Sequence, residues 1–431
     1  MTRFHFFILV LIVSISGFSQ GMLLPVISVI FEQEGHSAAL NGLHATGLYI
    51  GVLIASPFME APLRRLGFKP LIVIGGIMVC ASLFAFVFIQ SFIVWFFLRL
   101  LIGIGDHMLH FSTQTWVTTL SSEKNRGRNI SLYGLSFGLG FAAGPFLTPL
   151  VNIAPSLPFI VSGAFSMLAW LFIFCLQNDF PEQSGSESRS DNSLKRFIQA
   201  FLLGWVAFLP TFGYGFLETA LNGNFPVYAL RSGISVEGVS IILPAFAIGS
   251  IVFQYPLGVL SDKYGRRNVL LVILAVGAGC FFAAGFSDSV PLLAICFFIA
   301  GMAVGSTFSL GISFMADLLP KRLLPAGNLM CGITFSFGSI FGPVAGGWYM
   351  QTFHNSNLFY LITCVMVLIW IGVLFGKTKK KALSNNLRRR QCKKGRLLTI
   401  GSRPFRKCQA VLMISVLSVG ACARFVFRTL L

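Results

Sequence analysis

Arg99, Gly103, Asp106, His110 and Thr113 follow one another at intervals of four, three, four and three residues inside an otherwise apolar run. That spacing places all five on one face of a helix. A carboxylate and an imidazole one turn apart, with an arginine two turns away, are groups that can take up, hold and release a proton. Charges at bilayer depth cost several kcal/mol unless they meet water or a partner, so this face is expected to border an aqueous cavity. The alternative is a structural ion pair between Arg99 and Asp106, because two turns, roughly 10 Å, lie within reach of a long arginine side chain. Polar stripes of the same kind recur at Ser16 and Gln20, at Thr211, Tyr214, Glu218 and Asn222, and at Ser306, Ser309 and Ser313. Glu218 is the second candidate for protonation, its alternative being a hydrated carboxylate near the outer mouth. His44 and His107 lie off these stripes and read as packing or interface residues. The candidate substrate and proton pathway is therefore Arg99, Asp106, His110, Glu218, Asn222, Gln20 and Ser309.

The elements that must position these residues are membrane helices. The 431-residue chain is 55% hydrophobic with 46 Phe and a mean hydropathy of +0.81, more apolar surface than a soluble core of this length uses. Runs long enough to span a bilayer lie near 4–30, 41–59, 71–90, 92–114, 130–151, 158–176, 201–224, 239–257, 269–286, 292–315, 328–350 and 358–375. The first continues through Gln20 and Pro25 to Phe31, beyond the length of a cleaved signal sequence, and counts as a span.

Lys and Arg set the orientation. With the N-terminus inside, the inner segments up to Gly376 carry fifteen basic residues, from Arg3 to Arg322, and the outer loops carry Arg231 alone. Both termini are then cytoplasmic, and the polar, mixed-charge segment 178–196 is a cytoplasmic linker. Residues 377–431 hold fifteen Lys or Arg and no acid, leaving +3 of the net +18 for the body, so the basic balance argues for no nucleic-acid partner. This tail is either an anchor to anionic lipid or an extension without function. The nine cysteines form no CxxC or Cys/His pattern and read as apolar fillers. With no GxxxxGK[ST], HExxH or GxSxG motif, nothing supports an ATP-driven pump, a hydrolase, a metal site or a cofactor.

An internal repeat divides the spans. YGLSFGLGFAAGP at 133–145 lies over CGITFSFGSIFGP at 331–343 at a shift of 198, matching Gly140, Gly144 and Pro145 with Gly338, Gly342 and Pro343. Small residues there, Gly138 included, allow helices to approach closely in lipid, and the prolines permit a bend. A second pair, Glu60 with Arg64 and Arg65, falls on Asp262 with Arg266 and Arg267 at a shift of 202. In GVLSDKYGRR, 258–267, Asp262 ends the eighth span at the cytoplasmic surface, where a carboxylate can accept from the orphan N–H groups of a helix start. Gly265 makes the tight turn, and Arg266 and Arg267 anchor to headgroups or a facing acid. The alternative is a plain positive-inside loop.

Gly258, Asp262, Lys263, Gly265, Arg266 and Arg267 complete a loop signature by which the chain resembles the major facilitator superfamily over residues 1 to about 376. The first-half copy, SPFMEAPLRRLGFK, departs from the signature with Ser56 for Gly and Glu60 for Asp. The resemblance implies an all-α membrane protein of twelve transmembrane helices in two pseudo-symmetric six-helix halves, 1–177 and 197–376, with spans 1, 4, 7 and 10 lining a central cavity. It implies that the fifth span starts beside Asp262, within reach of Arg126 or Arg128, and a gating latch formed by Asp262, Gly265, Arg266, Arg267, Glu60, Arg64 and Arg128. Arg99 and Gly103 resemble a fourth-span signature linked to proton transfer, and the Gly-Pro segment resembles one associated with antiporters, although the glycine pair that normally trails it stands instead at Gly346 and Gly347. The expected protein is a secondary transporter of the cell membrane, no enzyme, functional as a monomer in the lipid bilayer. It is expected to use the proton gradient to export a small drug-like or amphipathic compound. Symport of a polar metabolite and a transport-dead sensor are the alternatives.

Overall fold

A computed structural model describes residues 3–121, 123–180, 193–320, 323–353 and 357–376; the tail 377–431 and most of the linker lie outside them. Among the described residues twelve helices are long and apolar enough to cross a membrane: α1 Arg3–Gln33, α2 Ala38–Phe58, α3 Phe68–Phe88, α4 Phe92–Thr119, α5 Arg128–Asn152, α6 Leu157–Cys175, α7 Phe197–Arg231, α8 Val236–Tyr264, α9 Arg266–Ala284, α10 Val290–Leu318, α11 Ala326–Thr352 and α12 Leu358–Phe375. Each overlaps one expected span. Helices are what lipid demands, since they satisfy every backbone polar group internally. Among the described residues there is no strand.

Each half packs around its own apolar core, one built largely from α1–α6 and two clusters from α7–α12. Lipid gives little hydrophobic drive between helices, so the contacts rest on small residues. A Cβ on Gly17 or Gly140 of the first half would strike the backbone oxygen of Phe137 or Ser14, joining α1 to α5. Gly215 and Gly338 meet Phe335 and Phe212 in the same way, joining α7 to α11. Gly51 and Gly103 face Leu100 and Leu48 across α2 and α4, as Gly249 and Gly301 face Phe298 and Phe246 across α8 and α10. All of these correspond at the single shift of 198. Gly138 departs from the expectation: a Cβ there meets only Ile251 of α8 at an ordinary 3.6 Å.

The same register corrects the alignment of the two loops. Gly67 and Gly265, 198 apart, both take positive φ (85° and 90°) at the start of α3 and α9. Lys69 Nζ donates to the Phe174 and Leu176 carbonyls at 3.3 and 2.6 Å at the end of α6. Arg267 donates to the Val373, Leu374 and Gly376 carbonyls at 2.9–3.0 Å at the end of α12. Both cations cap the orphan carbonyls of a helix C-terminus. Lys69 is therefore the counterpart of Arg267, Arg64 stands opposite Asp262, and the shift of 202 was a coincidence of residue types.

Several helices depart from regular α geometry. From Gly144, with Pro145 and Pro149, the end of α5 tightens into a 3₁₀ helix to Asn152, whereas Pro343 sits inside a continuous α11. α7 contains a π-helical stretch at Ala220–Asn224, and α10 breaks between Val304 and Thr307.

The halves meet at the end holding the α1–α2 and α7–α8 connections. Arg231 forms a bidentate pair with Glu32 at 2.7 and 3.1 Å, and Asn152 donates to Glu237 at 2.9 Å. Gly42 and Gly347 let α2 and α11 touch backbone to backbone. At the opposite end Gly134 of α5 and Gly332 of α11 have open space where a Cβ would stand, and Asp262 is 71% exposed.

Candidate functional site

The face of α4 carries the expected groups, but α1 covers it. Asp106 is 1% exposed and Arg99 0%, so the aqueous border expected from the sequence is absent here and protein contacts replace it. Ser16 of α1 donates to Asp106 Oδ1 at 2.7 Å and lies 3.3 Å from His110 Nε2, and Gln20 donates to Ser16 at 3.5 Å. His110 Nδ1 stands 3.1 Å from the hydroxyl of Tyr133 on α5, which is 2.9 Å from Thr113 Oγ1. Asp106 Oδ2 is buried with no hydrogen bond within 3.5 Å, the Gln20 amide lying near the carboxylate, and among the described residues no Lys or Arg pairs with it. Close packing through Gly17 and Gly140 sets α1 against α5 beside this cluster.

Arg99 does not pair with Asp106. Its guanidinium reaches His44 Nδ1 of α2 at 3.1 Å and the Leu23 carbonyl of α1 at 2.9 Å. Arginine only donates, so His44 Nδ1 accepts; Nε2, 3.2 Å from the Phe92 carbonyl, is then the protonated nitrogen. Phe31, Phe92 and Phe96 enclose the ring at 4.7, 4.9 and 5.8 Å. His44 is thus the partner of the buried cation, a role its position off the α4 stripe concealed. His107 lies 3.1 Å from Ser56.

In the second half Glu218 is partly buried and lies within electrostatic reach of Tyr49 of α2 and Tyr214 of α7. Phe335 of α11 gathers Tyr49, Tyr214 and Phe308 around it at 6.4, 6.2 and 5.2 Å. Asn222 turns back to the Glu218 carbonyl at 2.8 Å, and Ser309 is exposed. The two halves differ chemically at matched positions: Ser16, Gln20, Asp106 and His110 correspond to Tyr214, Glu218, Val304 and Phe308. One half holds a hydrogen-bonded cluster around a carboxylate, and the other holds a single carboxylate beside aromatic rings.

At the loop end Asp262 meets Arg266 at 3.2 Å, and Arg266 also reaches Asp317 at 3.2 Å and the Ser313 carbonyl. These contacts stay within the second half, and among the described residues none joins Asp262 to α5; Arg128 is exposed and Arg126 lies outside the described side chains. Glu60 heads the short helix Glu60–Leu66, where Arg64 is exposed. Among the described residues no cluster of His, Cys, Asp and Glu could hold a metal ion.

The sequence profile of the Major Facilitator Superfamily matches residues 9–243 and 207–431. The uncharacterized MFS-type transporter YfkF of Bacillus subtilis (strain 168) is 74% identical over 379 residues, 88% of this chain and 97% of that protein. Among solved structures, the nucleoside transporter NupG superimposes with a TM-score of 0.70 at 16% identity, over 86% of this chain and 98% of that one. A bacterial homologue of the human lysosomal transporter Spinster, inward-facing and unoccupied, does so with a TM-score of 0.65 at 15% identity, over 87% and 95%. At such identities the likeness to these two shows the fold.

Proposed function

The chain belongs to the Major Facilitator Superfamily, and from that premise we propose that it is a secondary transporter of the cell membrane that exchanges protons for a small amphipathic or drug-like compound, with Asp106 as the coupling carboxylate. The observation that carries the reading is the setting of Asp106: buried, held through one oxygen by Ser16, the other oxygen without a hydrogen bond, and no cation paired with it among the described residues. A carboxylate in that setting gains or loses a proton when movement of the halves exchanges its protein surroundings for water. In this reading Glu218 supplies a negative charge, and the Tyr49, Tyr214 and Phe335 rings an aromatic wall, for a cationic compound.

Under this proposal the halves rock about the central site. The Glu32–Arg231 end is the external one, so the conformation is closed outside and open toward the cytoplasm, both termini are cytoplasmic, and the Asp262 latch forms in the opposite state. Proton-driven uptake of a polar metabolite remains the second reading, favoured by the amides of Gln20 and Asn222 near the carboxylates.

Everted membrane vesicles carrying the protein, acidified inside and challenged with a panel of organic cations, sugars and organic acids, test it. Cation-dependent loss of the pH gradient, absent from control vesicles, is expected. A response to sugars or organic acids alone selects uptake, and a silent panel contradicts transport.

A further inference from the structure

The hydrogen bonds around His110 fix where its protons stand. Thr113 Oγ1 lies 2.7 Å from the Leu109 carbonyl and 2.9 Å from the Tyr133 hydroxyl, and its one proton can serve either contact. Ser16 gives its single proton to Asp106 Oδ1, so toward His110 it accepts as well, and the ring must carry its proton on Nε2. Nδ1 is then an acceptor; the Tyr133 hydroxyl at 3.1 Å donates its single proton to it, and Thr113 turns its own proton toward the Tyr133 oxygen. Three successive donors therefore point from α5 toward Asp106.

We propose that Tyr133, His110 and Ser16 form a proton wire to Asp106, and that the tautomer of His110 reports whether Asp106 carries the proton. The proposal rests on the reading of Asp106 as the coupling carboxylate. A proton from water reaches the Tyr133 oxygen, and the original phenolic proton passes to His110 Nδ1. The Nε2 proton passes to Ser16 Oγ, and the Ser16 proton passes to Asp106 Oδ1. One proton enters, one O–H bond forms on Asp106, and each intervening group keeps its proton count. Every donor is afterwards reversed: Asp106 donates to Ser16, Ser16 to Nε2, the Nδ1–H to Tyr133, and Tyr133 to Thr113. Thr113, which can turn its proton to the Leu109 carbonyl, is what lets the hydroxyl of Tyr133 turn.

Tyr133 is suited to the outer end of this wire. It is buried itself, but Leu132 and Gly134 beside it are exposed, at the end of α5 where the halves stand apart. The matched positions of the second half, Tyr214, Val304, Phe308 and Cys331, cannot build an equivalent, so one half alone holds the wire. Besides the wire itself, the titratable groups near it are Cys80 from α3 and His107 from α4. α1 contributes neutral Gln20, and neither neighbour lies in the chain of donors.

The test uses the purified full-length protein in lipid bilayers and needs no substrate. Ring-¹⁵N histidine resonances give the tautomer, with His110 identified by its loss in His110→Gln, and the infrared carboxyl band lost in Asp106→Asn follows the Asp106 proton. As pH falls, the ring proton of neutral His110 should move from Nε2 to Nδ1 with the same midpoint as the Asp106 band. Ser16→Ala should leave the band titrating but abolish the tautomer change, and Ser16→Thr should restore it. A tautomer that stays fixed while the band titrates, a change that survives Ser16→Ala, or a band that never titrates in the folded protein overturns the proposal. Asp106→Asn that retains pH-driven transport instead overturns the assignment of Asp106 on which it rests.

Discussion

Arg99 is a fully buried cation whose visible partners are a neutral imidazole and one backbone carbonyl. Its Nε has no partner, so the loss of either contact leaves a desolvated donor. His44→Ala should destabilise the protein by about 1–3 kcal/mol, read from thermal unfolding in detergent, and His44→Gln, whose amide oxygen can accept, should recover part of that loss. Equal stability of His44→Ala and wild type would contradict the contact. Helical spacing made the α4 face legible, and Asp106 and His110 do share one cluster. It could not show which helix covers that face. Periodicity within α4 carries no information about α1 and α2, so Ser16 as bridge, His44 as partner of Arg99 and Tyr133 as the far group emerge only once the helices are packed. Glu218→Gln should weaken binding of an organic cation while sparing the Asp106 carboxyl band; unchanged affinity in equilibrium binding would remove Glu218 from recognition.

Between elements, the glycines decide which helices touch. Gly140 and Gly338 each sit where a Cβ would meet backbone, whereas Gly138 has room. Gly140→Ala and Gly338→Ala should each cost about 1–3 kcal/mol of stability and lower the folded yield, while Gly138→Ala should be silent. A damaging Gly138→Ala with a harmless Gly140→Ala would reverse the packing assignment. The 198-residue repeat was legible at 133–145 because close packing constrains residue type there. It was illegible in the loops, where Lys69 and Arg267 do the same work on the ends of α6 and α12 from different surrounding sequences. A register read from acids and arginines alone therefore slipped by four residues.

For the whole molecule, contact between the halves at one end and open space at the other match one state of the rocking cycle proposed above. A disulfide between Glu32→Cys and Arg231→Cys, made in a cysteine-depleted background, should hold that end shut and stop transport until it is reduced. Transport by the cross-linked protein would contradict rocking about the central site. The central claim joins that motion to a proton at Asp106. Its most direct measurement compares, for a compound found active in the vesicle panel, pH-gradient-driven transport with substrate-for-substrate exchange in proteoliposomes of wild type and Asp106→Asn. Exchange needs no net proton movement, so it should persist while driven transport falls at least roughly tenfold, the loss of about 1.4 kcal/mol or more of coupling. Full pH-driven transport by Asp106→Asn, in a folded protein, would contradict the account.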